Sequence, residues 1–366
     1  MKPGPWRYIL RWTTLMPIIA FVSLIASWER ELSPVVLAIE AVLLVGSVLA
    51  AVHHAEVIAH RIGEPFGSLV LAVAVTIIEV GLIVMIMTTG KGDTSTLARD
   101  TVFAAVMITM NGIVGISLFV GAQKYRLATF NPEGTGSALA TVIALAALTM
   151  VLPDFTTSHP GPVYIGQQLT FAAVASLVLY GSFVFTQTIR HRDFFLPPGD
   201  ATDIDEDGPH ANPPSMRRTL VSLGLLPVAL ISVVGLAKIE SPAIEGTLHW
   251  LGFPPSFIGV VLAIVVLMPE SITAVRAALQ NRAQIAMNLG YGSAMASIGL
   301  TIPTLAVASM WLPGPLRLGL EPMQMALFAT SAVVSGFTVV PGRAKTLHGT
   351  VHLVLLAAYI FMSVVP

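Results

Sequence analysis

The sequence predicts an all-α protein that crosses a membrane many times, and three observations lead to this fold class. The 366 residues are 55% hydrophobic and 11% charged, whereas an ordinary soluble domain has roughly 25% charged residues. Apolar runs recur along the chain, each near the length of about 20 residues with which a helix crosses a bilayer. The runs lack the alternation of barrel strands, and a helix satisfies its own backbone polar groups inside lipid.

Eleven apolar runs define the predicted spans. They lie near residues 12–27, 34–53, 66–89, 101–122, 136–153, 165–187, 219–237, 256–278, 284–311, 322–340 and 347–364. The first run could also act as a signal peptide, but no small-x-small cleavage site follows it, so we expect a retained helix. The predicted organisation is an N-terminal helix (1–30), a first group of five spans (31–188), a hydrophilic linker (189–218) and a second group of five spans (219–366).

The distribution of basic residues predicts the orientation of the spans. Eleven spans place the two termini on opposite sides of the membrane. With the N-terminus inside, 14 of the 19 Lys and Arg residues lie on the cytoplasmic side and 5 on the other side, as the positive-inside rule requires. We therefore expect a protein of the bacterial inner membrane with a cytoplasmic N-terminus and a periplasmic C-terminus.

Composition also excludes several classes of function. The net charge is −1 and no basic run occurs, which argues against nucleic acid as a partner. The chain has no Cys, so disulfides and thiolate metal sites are excluded. No Gly-x-x-x-x-Gly-Lys phosphate loop occurs, so ATP is not expected to drive the protein directly. We expect no cofactor. The expected partners are the lipid bilayer, inorganic cations and protons, and the residues predict no particular oligomeric state.

Three glutamates lie inside the apolar runs: Glu40, Glu79 and Glu270. A charged side chain at the bilayer centre costs at least about 2.5 kcal/mol, so it is kept mainly where function requires it. Glu40 lies near the outer end of its span, where we expect its carboxylate to reach the interface, and a role in access from that side is the alternative. Glu79 and Glu270 lie deep within spans three and eight and are therefore the main candidates.

The segments that end in Glu79 and Glu270 resemble each other. Residues 68–79 and 259–270 align without a gap, and the identical pairs include Val75 with Val266 and the two glutamates. Span three is predicted to run outward and span eight inward, which is the mark of an inverted repeat with a binding site near the midplane. Two carboxylates that meet there repel each other unless they bind a cation or share protons. We therefore expect a secondary antiporter in which cations and protons compete. A channel or uniporter, and an intramembrane acid/base enzyme, are the alternatives.

Each glutamate is followed by a span with helix-breaking residues. Asn111-Gly112 lies in span four, and Asn288 and Ser293 lie in span nine before Thr301-Ile-Pro303. Ca²⁺ takes about six to eight oxygen ligands, and Asn111 and Ser293 offer neutral oxygens beside the carboxylates. The alternative is that the small residues only let helices approach closely.

Two stretches of the chain resemble a known family. The residues from His54 to Ser68, running on to Glu79, resemble the first alpha-repeat of bacterial ChaA-type sodium/calcium–proton antiporters. The residues Pro269-Glu-Ser-Ile-Thr-Ala-Val-Arg, with Ala286-Met-Asn-Leu-Gly-Tyr-Gly-Ser after them, resemble the second. The resemblance covers essentially the whole chain and implies the cation/proton exchanger branch of the calcium/cation antiporter superfamily.

The resemblance also implies a site. In that branch a Gly-Asn-Ala-x-Glu signature carries the glutamate that binds cation or proton, and here those glutamates are Glu79 and Glu270. Thr76 and Leu267 stand where the asparagines of the signature would be. The implied cargo is Ca²⁺ or Na⁺, with K⁺ open as well, exchanged for protons. The predicted binding set is Glu79 and Glu270 with Asn111, Ser293, Thr76 and Asn288.

A cluster of titratable residues follows the predicted end of span two: His54, Glu56, His60 and Glu64. A zinc protease requires His-Glu-x-x-His, and the order here differs. Histidine titrates near neutral pH, so a pH-sensing role at the cytoplasmic entrance and plain solvation of a loop are both open. The acidic linker leaves the same choice between solvation and the gathering of cations.

Overall fold

The computed structural model describes residues 11–63, 66–89, 94–197, 214–312 and 315–365. Ten helical segments in this part of the chain are long and apolar enough to cross a membrane, and a shorter apolar helix precedes them. The predicted all-α polytopic fold is thus confirmed. We label the segments α1 Trp12–Ser27, α2 Pro34–Ile62, α3 Phe66–Thr89, α4 Leu97–Tyr125, α5 Pro132–Phe155, α6 Gly166–Arg190, α7 Met216–Leu251, α8 Phe257–Leu279, α9 Ala283–Ala308, α10 Pro322–Val339 and α11 Thr346–Val364.

Local sequence explains where several helices begin and end. The Ser33 hydroxyl accepts from the backbone of Val36, and Pro34 follows it as the first helical residue of α2, which suits the fixed φ of proline. Asn131 caps α5 by accepting from two backbone N–H groups, as short polar side chains do at this position. Helix α7 ends at Gly252, whose φ of 74° is a left-handed conformation that glycine adopts without strain.

Several helices depart from regular α geometry. Helix α4 contains a π-helical stretch at Ile108–Ile113, and α9 is interrupted at Leu300 between two α-helical pieces. Helix α5 contains a π-helical turn at Ala147–Val151 and ends in a 3-10 turn at Leu152–Phe155. The irregularity in α4 contains Asn111-Gly112, and the interruption in α9 lies just before Pro303. The predicted breaks in the spans that follow the two glutamates are therefore confirmed.

The chain divides into two compact units. Unit 1 contains α1, α2, α3 and α7, and α2 and α7 pack along each other within it. Unit 2 contains α4 to α6 and α8 to α11. Each predicted group of five spans contributes helices to both units. The grouping into two repeats joined by a linker stays a prediction.

Helix α4 lies at the centre of unit 2. In its most apolar window 89% of the residues are buried, as expected for a helix surrounded by others. It packs against α8, α9 and α11. After α4, strand β1 (Ala128–Thr129) pairs antiparallel with β2 (Arg343–Ala344), the segment before α11.

Helix α7 is longer than the sequence suggested. The predicted span at 219–237 covers only part of a helix of 36 residues, which is about 54 Å long at 1.5 Å per residue. The charged Lys238 and the prolines Pro227 and Pro242 are accommodated within it. As a result Glu240, which appeared to lie beyond the span, belongs to the same helix.

Candidate functional site

Glu79 is buried in the middle of α3. Its side chain is 2% exposed, and the neighbouring Ile78 and Val80 are also buried. Thr76 lies one turn earlier on the same face, as residues three apart do on a helix. The Thr76 hydroxyl donates to the Ala72 carbonyl over 2.8 Å, which leaves its oxygen able to accept a hydrogen bond or to face a cation. In unit 1 the structure thus brings together two oxygen-bearing members of the predicted set.

Glu270 lies in α8, directly after Pro269. It is partly buried, with its Oε2 atom enclosed. Proline has no N–H and cannot close the bond to the carbonyl four residues earlier, so Pro269 frees the Val265 carbonyl from the usual helical pattern. The Ser271 hydroxyl donates to the Leu267 carbonyl over 2.7 Å. Glu270 therefore sits on a locally loosened helix, whereas Glu79 sits on a regular one.

Asn111 lies in the π-helical stretch of α4 and is fully buried. Its Nδ2 donates to the Ser331 hydroxyl of α10 over 2.9 Å. Its Oδ1 lies 3.1 Å from Nδ1 of His352 in α11. Because an amide oxygen only accepts, His352 carries a proton on Nδ1. The other ring nitrogen, Nε2, lies 3.2 Å from the Thr338 hydroxyl, which also donates to the Val334 carbonyl over 2.9 Å.

The side chains that hold Asn111 were not among the residues predicted from the sequence. Close approach of α11 to α4 places His352: a Cβ added to Gly115 would lie 2.9 Å from the His352 Cβ. Ser331, Ser335 and Thr338 follow one another at helical spacing, and all three are buried. This spacing, with a histidine inside the last apolar run, was the signal available in the sequence. Since the amide of Asn111 has these partners, its neutral oxygen faces His352.

Asn288 has partners at the end of unit 2 where the linker begins. Its Nδ2 donates to the Phe195 carbonyl over 2.7 Å, and its Oδ1 accepts from Gln284 over 2.8 Å. The Gln284 Oε1 accepts in turn from the Asn131 backbone. Asn288 thus ties the segment before the linker to α9. Ser293 is half-buried farther along α9.

The titratable cluster after the predicted span two belongs to helix α2, which continues to Ile62. Glu56 and His60 line one cavity of about 160 Å³ together with Ser68 and Leu71, at the start of the helix that carries Glu79. His54 is buried elsewhere, with Nε2 donating to the Thr13 carbonyl over 2.9 Å. The interpretation of His54 as a solvated loop residue is therefore wrong. Glu64 lies outside the described residues.

Unit 1 buries two further glutamates, Glu40 and Glu240. Glu40 is fully buried, and its Oε1 accepts from the hydroxyls of Ser23 over 2.8 Å and Ser27 over 2.5 Å. The expectation that Glu40 reaches the interface is thus wrong, because α1 covers it. Glu240 on α7 is 4% exposed and interacts electrostatically with Glu40. Glu240 was not predicted to lie within a span, because Lys238 and Pro242 are residues typical of the end of a span.

Arg99 and Asp100 form a buried ion pair at the start of α4. The Arg99 Nε donates to Asp100 Oδ1 over 2.8 Å, Nη1 donates to the Gly319 carbonyl over 3.2 Å and Nη2 donates to Glu321 over 3.1 Å. The bonds to Gly319 and Glu321 attach the segment before α10 to α4, whereas the bond to Asp100 lies within α4.

Known proteins with similar sequences and structures are membrane transporters. The profile described as "Sodium/calcium exchanger protein" matches residues 32–189 and 221–365. The chain is 41% identical to the ionic transporter y4hA of Sinorhizobium fredii, over 97% of this chain and 96% of that one. It is 34% identical to the sodium-potassium/proton antiporter ChaA of Escherichia coli, over 94% of each chain. The solved structure of native YfkE has the same fold, with a TM-score of 0.73 at 16% identity over 97% of this chain and 99% of that one.

The family match and the antiporter relatives place this multi-pass membrane protein among the secondary transporters of the cation antiporter class. The chain belongs to the sodium/calcium exchanger protein family, so the resemblance seen in the sequence is confirmed.

Proposed function

We propose that this chain exchanges Na⁺ or Ca²⁺, with K⁺ as a further cargo, for protons, and that Glu79 and Glu270 bind cation and proton in turn. The observation that carries the proposal is the burial of Glu79, 2% exposed in the middle of an apolar span. The names of similar proteins support the cargo: the relative from Escherichia coli is a sodium-potassium/proton antiporter, and YfkE is a Ca²⁺/H⁺ antiporter.

The physical basis of exchange is neutralisation of the carboxylates. An ionised carboxylate that is buried without a partner charge is costly. A proton or a cation at the same oxygens removes that cost, and either form of the site can then change its access from one side to the other. An empty, doubly ionised site is expected to be trapped because uncompensated charge must otherwise pass through surroundings of low dielectric constant. Two protons for one Ca²⁺ would be electroneutral at two glutamates.

The neutral oxygens near each glutamate have different proposed roles. Thr76 shares a helix face with Glu79, so it supplies a neutral oxygen to the cation. Ser293 lies in the span after Glu270 and supplies another. Asn111 and Asn288 are held by their own hydrogen bonds, and we assign them to positioning the helices around the site.

The route to the site begins at the cavity lined by Glu56 and His60. In the orientation predicted by the basic residues, this cavity faces the cytoplasm of a bacterial cell, and the protein lies in the inner membrane. The carboxyl of Glu56 attracts cations to the start of α3. The cation is thereby taken from the cytoplasm, while protons enter from the periplasm.

Flux measurements in proteoliposomes test this function. A trapped pH-sensitive dye is followed after addition of Ca²⁺, Na⁺ or K⁺, and tracer cation uptake is measured in parallel. We expect a transported cation to dissipate an imposed pH gradient, with no tracer flux unless protons or another cation move in exchange. Cation flux without counter-flux would instead indicate a channel. Absence of flux for all three cations in correctly folded protein would contradict transport of these ions.

Cation binding across pH tests the shared site separately. Affinity for the cation is expected to weaken as the pH falls, because protons compete for the same carboxylate oxygens. The measurement is cation binding to purified protein, beside the Glu79→Gln variant. Affinity that does not change with pH in the wild type would mean that protons use other residues.

A further inference from the structure

A cavity in unit 1 is lined by basic side chains from three helices. It has a volume of about 150 Å³ and lies where α1 and α7 begin. The basic and polar residues that line it include Arg11, Arg217, Arg218, His53, His54 and Ser215. None of the lining residues within the described ranges is acidic. The cavity is therefore strongly positive, and it is separate from the cavity of Glu56 and His60.

The back wall of this cavity is rigid. His54 is 3% exposed, and its Nε2 donates to the Thr13 carbonyl over 2.9 Å. Its Nδ1 lies 3.0 Å from the Ser222 hydroxyl. The histidine thus joins α1, α2 and α7, and the three arginines supply the permanent positive charge of the cavity.

The position of the arginines makes an anion favourable. Arg11 immediately precedes α1, and Arg217 and Arg218 lie in the first turn of α7, which has no acidic residue there. Helix N-termini carry partial positive charge, so basic side chains are disfavoured at this position and anions are favoured. Three guanidinium groups that line one cavity repel one another, and an anion bound there would offset that repulsion.

The chemistry of guanidinium selects a phosphate group. Its planar set of N–H donors matches the oxygens of a phosphate and binds it with two parallel bonds. The cavity has room for several waters of about 30 Å³ each, and therefore for a phosphate group. Na⁺ or Ca²⁺ would be repelled by the same side chains.

We propose that this cavity binds the phosphate of an anionic phospholipid headgroup. Trp12, next to Arg11, is 54% exposed, and exposed tryptophan beside a basic residue is typical of the membrane interface. Basic pockets between membrane helices on the cytoplasmic side bind anionic headgroups in this way. The bound headgroup joins the beginnings of α1 and α7. Inorganic phosphate in water offers the same chemistry and is distinguished by the experiment.

Binding to the purified, full-length protein in detergent tests the proposal. The probes are dioctanoyl phosphatidylglycerol, dioctanoyl phosphatidylcholine and inorganic phosphate, and the readout is Trp fluorescence together with the thermal midpoint. We expect saturable binding of phosphatidylglycerol that weakens with salt, since the charges are partly screened. We expect the double variant Arg217→Gln/Arg218→Gln to bind it at least ~10-fold more weakly, a loss of about 1.4 kcal/mol.

A matched control variant replaces two arginines of unit 2 and so removes the same number of positive charges. Arg190→Gln/Arg192→Gln changes two exposed arginines and should bind phosphatidylglycerol like the wild type. If the Arg217/Arg218 variant does not fold, Arg11→Gln is measured in its place. Stronger binding of phosphatidylglycerol than of phosphate identifies the lipid as the ligand. Equal binding of phosphatidylcholine, binding of inorganic phosphate alone, or unchanged affinity in the cavity variants would overturn the proposal. These readouts do not depend on transport, so they stand or fall separately from the proposed exchange.

Discussion

The two compact units bury polar groups of different kinds. In unit 1 the buried side chains include three glutamates, Glu40, Glu79 and Glu240, on α2, α3 and α7. In unit 2 they are mainly amides, hydroxyls and an imidazole joined by hydrogen bonds around irregular helices. The buried Asp100 of unit 2 has Arg99 beside it.

The two kinds of buried group differ in their response to ions: a carboxyl titrates, whereas an amide or a hydroxyl does not. A buried carboxyl changes its interaction with its surroundings when it gains a proton or a cation. Amide and hydroxyl groups carry no charge to gain or lose, so the hydrogen bonds that they make with each other do not respond to the exchanged ions. Each unit holds one carboxyl of the proposed pair, and unit 1 buries Glu40 and Glu240 in addition. Unit 2 contributes Glu270, on the helix loosened by Pro269, and otherwise buries mainly neutral groups.

The largest effect is expected from removing either glutamate of the proposed pair. Glu79→Gln and Glu270→Gln should each lower cation/proton exchange by roughly 10- to 150-fold, because each removes a charged oxygen ligand of the kind worth ~1.5–3 kcal/mol. Exchange is measured in proteoliposomes at matched protein content. Glu31→Gln makes the same chemical change at an exposed position and should leave exchange intact. Near wild-type activity in either variant would contradict the proposed role of that glutamate.

The second effect concerns the neutral network of unit 2. Asn111→Ala and His352→Ala should each destabilise the protein by about 2–3 kcal/mol, since each leaves a buried partner without its bond. The double variant should lose much less than the sum, because the two side chains bind each other. SDS titration of the folded protein in mild detergent measures the free energy of unfolding. If the losses in the free energy of unfolding of the two single variants add up to that of the double variant, the contact between Asn111 and His352 does not contribute to stability.

A smaller effect should distinguish Glu40 from Glu240. Glu240→Gln removes repulsion from Glu40 without breaking either serine bond, so stability at pH 8 should stay constant or rise by up to ~1 kcal/mol. Glu40→Gln relieves the same repulsion but weakens two charge-assisted bonds from Ser23 and Ser27, and should lower stability by about 1 kcal/mol. Glu31→Gln is again the control, and the same titration is the measurement. Destabilisation of equal size in both variants would contradict this account of unit 1.

The smallest effect is expected in the acidic linker between the units. Deletion of residues 200–213 keeps Pro214, whose carbonyl accepts from Arg61 over 3.3 Å. A solvated acidic segment interacts with cations mainly by screened electrostatics, so the apparent affinity should change by less than about threefold and turnover should stay the same. Initial rates over a range of cation concentrations measure both quantities. Complete loss of exchange in folded protein would give the linker an essential role.

The sequence predicted the fold more completely than the site. Each span could be predicted because an apolar run of sufficient length has one outcome in lipid, and Glu79 and Glu270 stood out inside such runs. Glu240 was missed because a charged residue and a proline beside it resemble a helix end, whereas packing against α2 continues the helix. The partners of Asn111 were missed because His352 lies 241 residues away in sequence, and only tertiary packing brings such residues together.

The π-helical stretch of α4 has a further consequence for the evolution of the chain. A short π segment corresponds to one residue inserted into an α-helix, and removal of one residue between Ile108 and Ile113 would restore the regular pattern. A π turn advances each residue by less than the about 100° of an α-helix, so the stretch absorbs the extra residue and Val114–Tyr125 keeps the same face as in an unbroken helix. Gly115 would therefore still face His352 after the removal, and only the stretch that holds Asn111 would be rearranged. We expect relatives that lack the extra residue to keep the packing of α11 against α4 and to change the bonds that Asn111 makes here with Ser331 and His352.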